Sequence, residues 1–307
     1  MGIAAGRVMV TVKFTRFAGD ANAHALEVAE RVDEKWHSWH GHGDLEVPVS
    51  VVAVLSLINP RLKDRDKVAL NLIRLSPEEF SDTVRLLWRR FVLARPDLVN
   101  RAWPLIEPWL GQQEMTPETT RDAHAVAVEA LRCDLFALTD DPKWEVDLLG
   151  TVLTSVRTMS AQQARGQYYT PPDVTDVMAR MALDVPTPGS SINDPACGTG
   201  GMFRAAAAWM IGAGIDPGTV RWEGNDVDHV AVACCAINAV LWGLGTNVLL
   251  GVGDTLAADW RKRAIAERDE PIILMRRLTA MRSFLDLENA TAAVSGAETS
   301  DSSPTEG

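Results

Sequence analysis

Basic charge is scarce in this 307-residue chain: 30 Lys and Arg stand against 41 Asp and Glu, a formal net charge of −11. Phosphate neutralisation supplies most non-specific nucleic-acid affinity, so an acidic chain lacks the usual electrostatic footprint of a DNA-binding face. Local basic groups remain at Arg85, Arg89 and Arg90, at Arg61 to Lys67, and at Arg276, Arg277 and Arg282. Each is short or has acidic neighbours, the pattern of a solvated helix face. Long apolar runs are missing too. The longest, Val47 to Ile58, is broken by Ser50 and Ser56 and falls far short of the roughly 20 residues of a membrane span. No basic flank and apolar core open the chain, so no secretory signal and no membrane partner are expected, and the expected compartment is the cytosol. The four cysteines (Cys133, Cys197, Cys234 and Cys235) form no CxxC pair. That argues against a disulfide scaffold and a metal site alike.

At 47% hydrophobic and 23% charged, the composition is that of an ordinary globular protein with enough chain for one large domain or two modest ones. Residues 1–150 read as mainly helical. Asn22 to His40, Pro77 to Ala94, Pro117 to Leu138 and Glu145 to Thr158 carry apolar residues at helical spacing. Breaks are expected at Gly41–Gly43, Arg95-Pro96, Glu107-Pro108 and Asp141-Pro142. Met9 to Phe14 reads as a short strand. Six of ten tryptophans precede residue 150 and are expected to fill space between helices. His37, His40, His42 and Asp44 cluster near the first helix end, where polar helix-end residues account for them better than a metal does.

Beyond residue 166 the pattern becomes alternating strands and helices. Thr170 can cap a helix with Val174, Val177, Met178 and Met181 on one face. Ser190 to Asn193, Val220 to Glu223 and Asn247 to Val252 read as strands, and Gly201 to Ile211 and Asp228 to Trp242 as helices. This βαβαβ order predicts a right-handed parallel sheet. Asp194 to Gly201 (Asp-Pro-Ala-Cys-Gly-Thr-Gly-Gly) then falls where a strand ends and a helix begins. Gly198 and Gly200 let the backbone turn tightly and approach a nucleotide or nucleoside, and Gly201 permits close helix–sheet contact. Asp226 ends the second strand, where a carboxylate accepts hydrogen bonds from ribose hydroxyls. The plainer alternative is that Asp226 and Asp228 cap the next helix.

Gly-Gln-Tyr-Tyr-Thr-Pro (166–171), Asp-Pro-Ala-Cys-Gly-Thr-Gly-Gly (194–201), Gly-Asn-Asp (224–226) and Gly-Asp (253–254) occur in order. Over roughly 145–256 the chain resembles the N6-adenine DNA methyltransferase family, most closely the modification subunits of type I restriction systems. The resemblance implies an α/β fold with a Rossmann-like parallel sheet of the methyltransferase type, preceded by a mainly helical N-terminal domain. It implies S-adenosylmethionine (SAM) as cofactor. Gln167, Tyr168, Tyr169, Thr170 and Pro171 would contact its methionine part, and Asp194 with Cys197, Gly198, Thr199, Gly200 and Gly201 would line its amino-acid end. Asp226 would hold the ribose and Asp254 the adenine amino group. DNA and a second protein chain are the implied partners.

The resemblance then stops. Family members follow the Gly-Asp element with a fourth strand and an Asn-Pro-Pro-aromatic element that holds the flipped base. Here Asp254 is followed by Thr-Leu-Ala-Ala-Asp-Trp, and no catalytic residue is assigned. Thr170-Pro171-Pro172-Asp173 has no Asn or ring, and Asn59-Pro60 lacks the second Pro and the ring. The expected division is a helical domain over 1–150, the incomplete sheet over 151–256, a helix over 257–287 and a disordered acidic tail over 288–307. Three strands in order 3-2-1 would leave strand 1 with an unpaired edge, to be covered by the N-terminal helices, the C-terminal helix or a partner. Three functions fit: an adenine-N6 DNA methyltransferase subunit of a restriction-modification system, a non-catalytic SAM-binding module, or an interaction protein using that edge.

Overall fold

The computed structural model describes residues 14–40, 43–157, 174, 187–257 and 259–298. The helices α1 (Ala21–His40), α2 (Glu46–Ser56), α3 (Arg65–Ile73), α4 (Pro77–Ala94), α5 (Val99–Leu110), α6 (Pro117–Arg132) and α7 (Leu148–Val156) come first among the described residues. A three-stranded sheet follows, built from β1 (Ser191–Asp194), β2 (Arg221–Asp226) and β3 (Val248–Val252). Helices α8 (Gly201–Gly212) and α9 (His229–Leu241) connect the strands, and α10 (Trp260–Glu298) comes last.

Helix boundaries follow local chemistry. Ser76 and Glu79 form a reciprocal capping box at α4, with Pro77 in the first turn, and Thr116 accepts from Thr119 N ahead of Pro117 at α6. The apolar run beginning at Val47 is helical and buried throughout from Val47 to Ser56. A helix apolar all round belongs at the centre, and α2 packs against α4, α5, α6 and α7. Its buried hydroxyls are satisfied: Ser50 Oγ donates to Leu105 O and accepts from Trp109 Nε1, and Ser56 Oγ donates to Val52 O.

Several boundaries differ from the sequence expectation. Helix α6 stops at Arg132 rather than Leu138, because Asp134 takes a left-handed conformation (φ 53°) and a 3-10 turn follows over Leu135–Thr139. Helix α5 runs through both Pro104 and Pro108 instead of breaking at Glu107-Pro108. Its buried residues Ala102, Leu105, Ile106 and Trp109 hold it in place despite the missing donors. Helix α7 begins at Leu148, capped by Asp147, not at Glu145. The boundary expected at 150/151 falls inside α7, and one buried apolar cluster runs from Ala21 to Leu250. Helix α10 continues to Glu298, past Leu287 and into the segment expected to be disordered. That stretch is rich in alanine, the strongest helix former. The strand expected at Met9 to Phe14 (except Phe14), the Gly166–Pro171 motif and the helix after Thr170 (except Val174) lie outside the described residues.

The sheet is parallel in order β1-β2-β3, with Asp194 opposite Gly224 and Asp226 opposite Val252. Trp222 on β2 is fully buried, donates Nε1 to Pro217 O at 2.9 Å and meets Phe203 of α8 edge-on at 5.3 Å. The N-terminal helices, the C-terminal helix and a partner are the three coverings expected for the edge of β1, and the C-terminal helix lies on β3, at the other end of the sheet. Helix α10 packs against β3, where Ala264 is buried, Arg268 reaches Thr246 O and Arg101 of α5 donates to Leu250 O. Among the described residues β1 pairs only with β2, and its residues alternate between exposed and half-buried.

Candidate functional site

The three strand ends and the turn after β1 make the site. Gly198 and Gly200 have φ of 52° and 96°, so the turn into α8 uses backbone that side chains disfavour. A Cβ at Gly198 would project into open space, whereas one at Gly200 would meet Cys235 Sγ and the Trp242 ring at 3.0 Å. Glycine is therefore needed at 200 for close packing, and at 198 it leaves the turn's outer face bare. Gly224 is close-packed as well: its Cβ would lie 3.0 Å from Cys197 Sγ. Gly201 opens α8.

Carboxylates gather there. Asp226 Oδ2 accepts from Gly198 N at 2.8 Å and Oδ1 from Asp228 N at 2.9 Å, so Asp226 ties β2 to the glycine turn. The cap of α9 is Asp228, which accepts from Val230 N and Ala231 N, and Asp226 is free of that duty. An ionised carboxylate has about four acceptor sites, which leaves Asp226 capacity for a ligand. Asp194 Oδ1 accepts from Ala196 N at 3.1 Å. Burial, then the neighbouring Asp226 charge, push its carboxyl above the ordinary range. Asp254 is exposed and accepts from Leu256 N at 2.9 Å. Asn225 holds the strand ends together: Nδ2 donates to Gly253 O and Thr255 Oγ1 at 2.7 Å each, and Thr255 Oγ1 donates to Pro195 O.

Asp194, Asp226 and Asp254 thus accept from backbone amides and surround the turn with negative charge. A helix N-terminus alone attracts phosphate. Three carboxylates beside it repel phosphate and favour a ligand rich in donors or positively charged. That chemistry fits a nucleoside with an ammonium or sulfonium group better than a dinucleotide.

Of the expected site residues, Asp194, Gly198, Asp226 and Asp254 lie at the strand ends and in the turn. Cys197 is buried behind the turn, its N–H donating to Asn225 O. Thr199 is also buried, with its hydroxyl given to Asp147. Gln167, Tyr168, Tyr169, Thr170 and Pro171 lie outside the described residues. Sequence reasoning missed Asp147 and Asn238, which meet behind the turn. The available signal was an Asp three residues before a Gly at a helix start. Among the described residues no His/Cys/Asp/Glu group could hold a metal ion, and His37 pairs with Asp33 at 2.5 Å. Asn59 is exposed beyond the end of α2 with φ 40°, a helix-end conformation. Arg61, Arg89 and Arg90 are exposed, and Arg85 is half-buried.

The class of fold is a helical region followed by a short parallel α/β sheet with its candidate site at the carboxyl ends of the strands. Residues 146–273 match the N-6 DNA Methylase family model. It is similar to the type I restriction enzyme MpnII methylase subunit of Mycoplasma pneumoniae, 25% identical over 137 residues, 43% of this chain and 25% of that protein. It is also similar to the MjaIX methylase subunit of Methanocaldococcus jannaschii, 37% identical over 78 residues, 25% of this chain and 13% of that protein. The chain therefore spans a quarter or less of the length of these curated relatives. A solved type I restriction-modification methyltransferase subunit from Streptococcus thermophilus aligns with 78% of this chain and 60% of its own, at 16% identity and a TM-score of 0.39. Among the described residues no helix is long and apolar enough to cross a membrane.

Proposed function

We propose that the chain binds SAM at the strand ends and serves as a subunit of an adenine-N6 DNA methyltransferase of the type I restriction-modification kind. The observation that carries this reading is the carboxylate-lined glycine turn within the segment matching the methylase family. The bare outer face of Gly198 accepts the amino-acid end of the ligand, and the free acceptor sites of Asp194 suit its ammonium group. Asp226 takes the ribose hydroxyls, and Asp254 stands at the adenine end. When bound, SAM supplies a methyl group activated by a sulfonium. The protein's part is to fix that group in line with an incoming amine, which is how rate is gained in a direct displacement. Target recognition, with a pocket for the flipped base, falls to a second protein chain. Arg61, Arg85, Arg89 and Arg90 are the first choices for a DNA surface on this chain.

One observation favours a second reading, a SAM-binding module without transfer activity. After Asp254 the chain turns through Thr255 and Leu256 and enters α10, where the family places a strand bearing the Asn-Pro-Pro-aromatic element.

The test is calorimetric titration of SAM into the full chain, with Asp226→Ala and Asp254→Ala as controls and their melting recorded. Saturable binding weakened in both variants is expected. SAM at 100 Kd should add roughly 2.7 kcal/mol of stability. A well-folded wild type that binds no SAM overturns the donor reading. Binding without methyl transfer to DNA, with partner chains present, selects the second.

A further inference from the structure

The glycine turn is held from behind. Thr199 is 3% exposed and donates its hydroxyl to Asp147, a carboxylate contributed by the helical region immediately ahead of α7. Asp147 Oδ1 also accepts from Gly150 N and from Asn238 Nδ2 of α9, both at 2.8 Å. The same Asn238 amide donates to Thr199 O at 2.9 Å, closing a ring through Asp147, Thr199 and Asn238. A Cβ at Gly150 would collide with Asp147 and stand 2.6 Å from Thr199 Oγ1, so α7 approaches the turn this closely only with glycine there. The flanking segment is fastened as well: Trp242 Nε1 donates to Lys143 O at 2.8 Å, Trp144 Nε1 to Trp242 O at 3.2 Å, and buried Arg204 to Trp144 O at 2.7 Å.

We propose that Asp147 is a positioning residue for the methyl-donor site, acting through Thr199 to hold the Gly198–Gly200 turn in its binding shape. The inference rests on the donor reading above. Its physical basis is the acceptor count. All three groups aimed at Asp147 come as donors, and a carboxylate can accept from each. An asparagine of the same shape offers one acceptor oxygen and turns an N–H₂ toward other donors. A buried charged acceptor is also among the stronger hydrogen-bond partners, so the loss is concentrated on the turn.

The experiment uses the full-length chain and two readouts. Cys197 is buried directly behind the turn, and Cys133 is buried at the end of α6 in the helical region. Alkylation by N-ethylmaleimide, located by peptide mass spectrometry, reports the turn through Cys197 and the helical core through Cys133. Asp147→Asn should speed labelling of Cys197 selectively and weaken SAM binding roughly tenfold or more. Thr199→Val removes the same bond from the other side and should act alike, while Thr199→Ser, which keeps the hydroxyl, should restore slow labelling. The double variant should bind no more weakly than the weaker single one, because both changes break one link. Thr199→Val keeps the test alive should Asp147→Asn fail to fold. The proposal is overturned by wild-type Cys197 protection in both variants, by equal acceleration of Cys133, or by additive losses in the double variant. If the wild type binds no SAM, the donor reading falls by itself, and the Cys197 rates alone decide whether Asp147 holds the turn.

Discussion

The helical region and the strand region bury polar groups in different ways. In the helices the buried hydroxyls of Ser56 and Thr139 donate to carbonyls three or four residues away, and that of Ser50 to a neighbouring helix. Such bonds accompany apolar packing and could be lost one at a time. Around the strands, buried groups join elements far apart in sequence: Arg157 with Asp228, Arg204 with Trp144 O, Asn238 with Asp147, and Asn225 with Gly253 and Thr255. The first region is specified by periodicity and caps. The second depends on a polar network whose members must all be present, because an unpartnered buried group costs more than its bond contributes.

The most severe way to break this comparison is to remove one side. The strand region leans on α5 and α7, which pack against α9, and the Lys143–Asp147 segment fastens the glycine turn. A 160–256 fragment would expose the apolar faces of α9 and β3 and keep the edge of β1 that is unpaired among the described residues. It is expected to aggregate or stay unfolded. A soluble fragment with a cooperative melt would show that the network is closed within the strand region.

The next test sharpens the contrast at one ion pair. Arg157 Nη1 lies 2.6 Å from Asp228 Oδ2, and both side chains are 2% exposed. Asp228→Ala removes the carboxylate 2.6 Å from a buried guanidinium together with the cap of α9. A loss of about 3–5 kcal/mol is expected in urea denaturation. Replacing both partners together, Arg157→Met with Asp228→Leu, should lose much less, about the 1 kcal/mol of a helix cap. Equal losses in the single and double variants would mean that packing, not the uncompensated charge, sets the cost.

Most of the fold was legible in the sequence because its signals are local. Ser76-Pro77 and Thr116-Pro117 announce helices that begin where expected. The three short strands lie within a few residues of their expected places, ahead of segments bearing Gly and Asp, although only β3 is an apolar run. Misplaced ends have three-dimensional causes. The prolines of α5 are tolerated because its opposite face is buried, and α6 stops where Asp134 turns left-handed beneath the buried Leu135 and Phe136. In the candidate site, the strand-end carboxylates were legible as candidates, since Asp194, Asp226 and Asp254 each end a strand or follow it. The bond that holds the turn from behind was not. Asp147 and Thr199 are 52 residues apart, and nothing in either neighbourhood announces the bond between them.

The smallest effect expected is at the surface, where α10 meets the sheet. Glu223 of β2 accepts from Arg261 Nε at 2.9 Å and Nη2 at 2.7 Å. That paired hydrogen bond, then the Arg261 charge, holds the Glu223 carboxyl below its ordinary value of 4.5, against a smaller opposing effect of burial. The folded state therefore binds its proton less readily than the unfolded chain. The contribution is fully present above the ordinary value and is lost as pH falls through the depressed one. Asp147 and Asp194 run the opposite way. Burial raises both above 3.8, so their ionisation weighs against the fold as pH rises from 3.8 through the raised values. Glu223→Gln should lower the melting temperature slightly at neutral pH, as befits an exposed pair, and the two proteins should converge in acid. Melting curves recorded from about pH 3 to about pH 7 check this. A gap that persists or widens in acid would mean that Glu223 holds α10 by packing, with no part played by its charge.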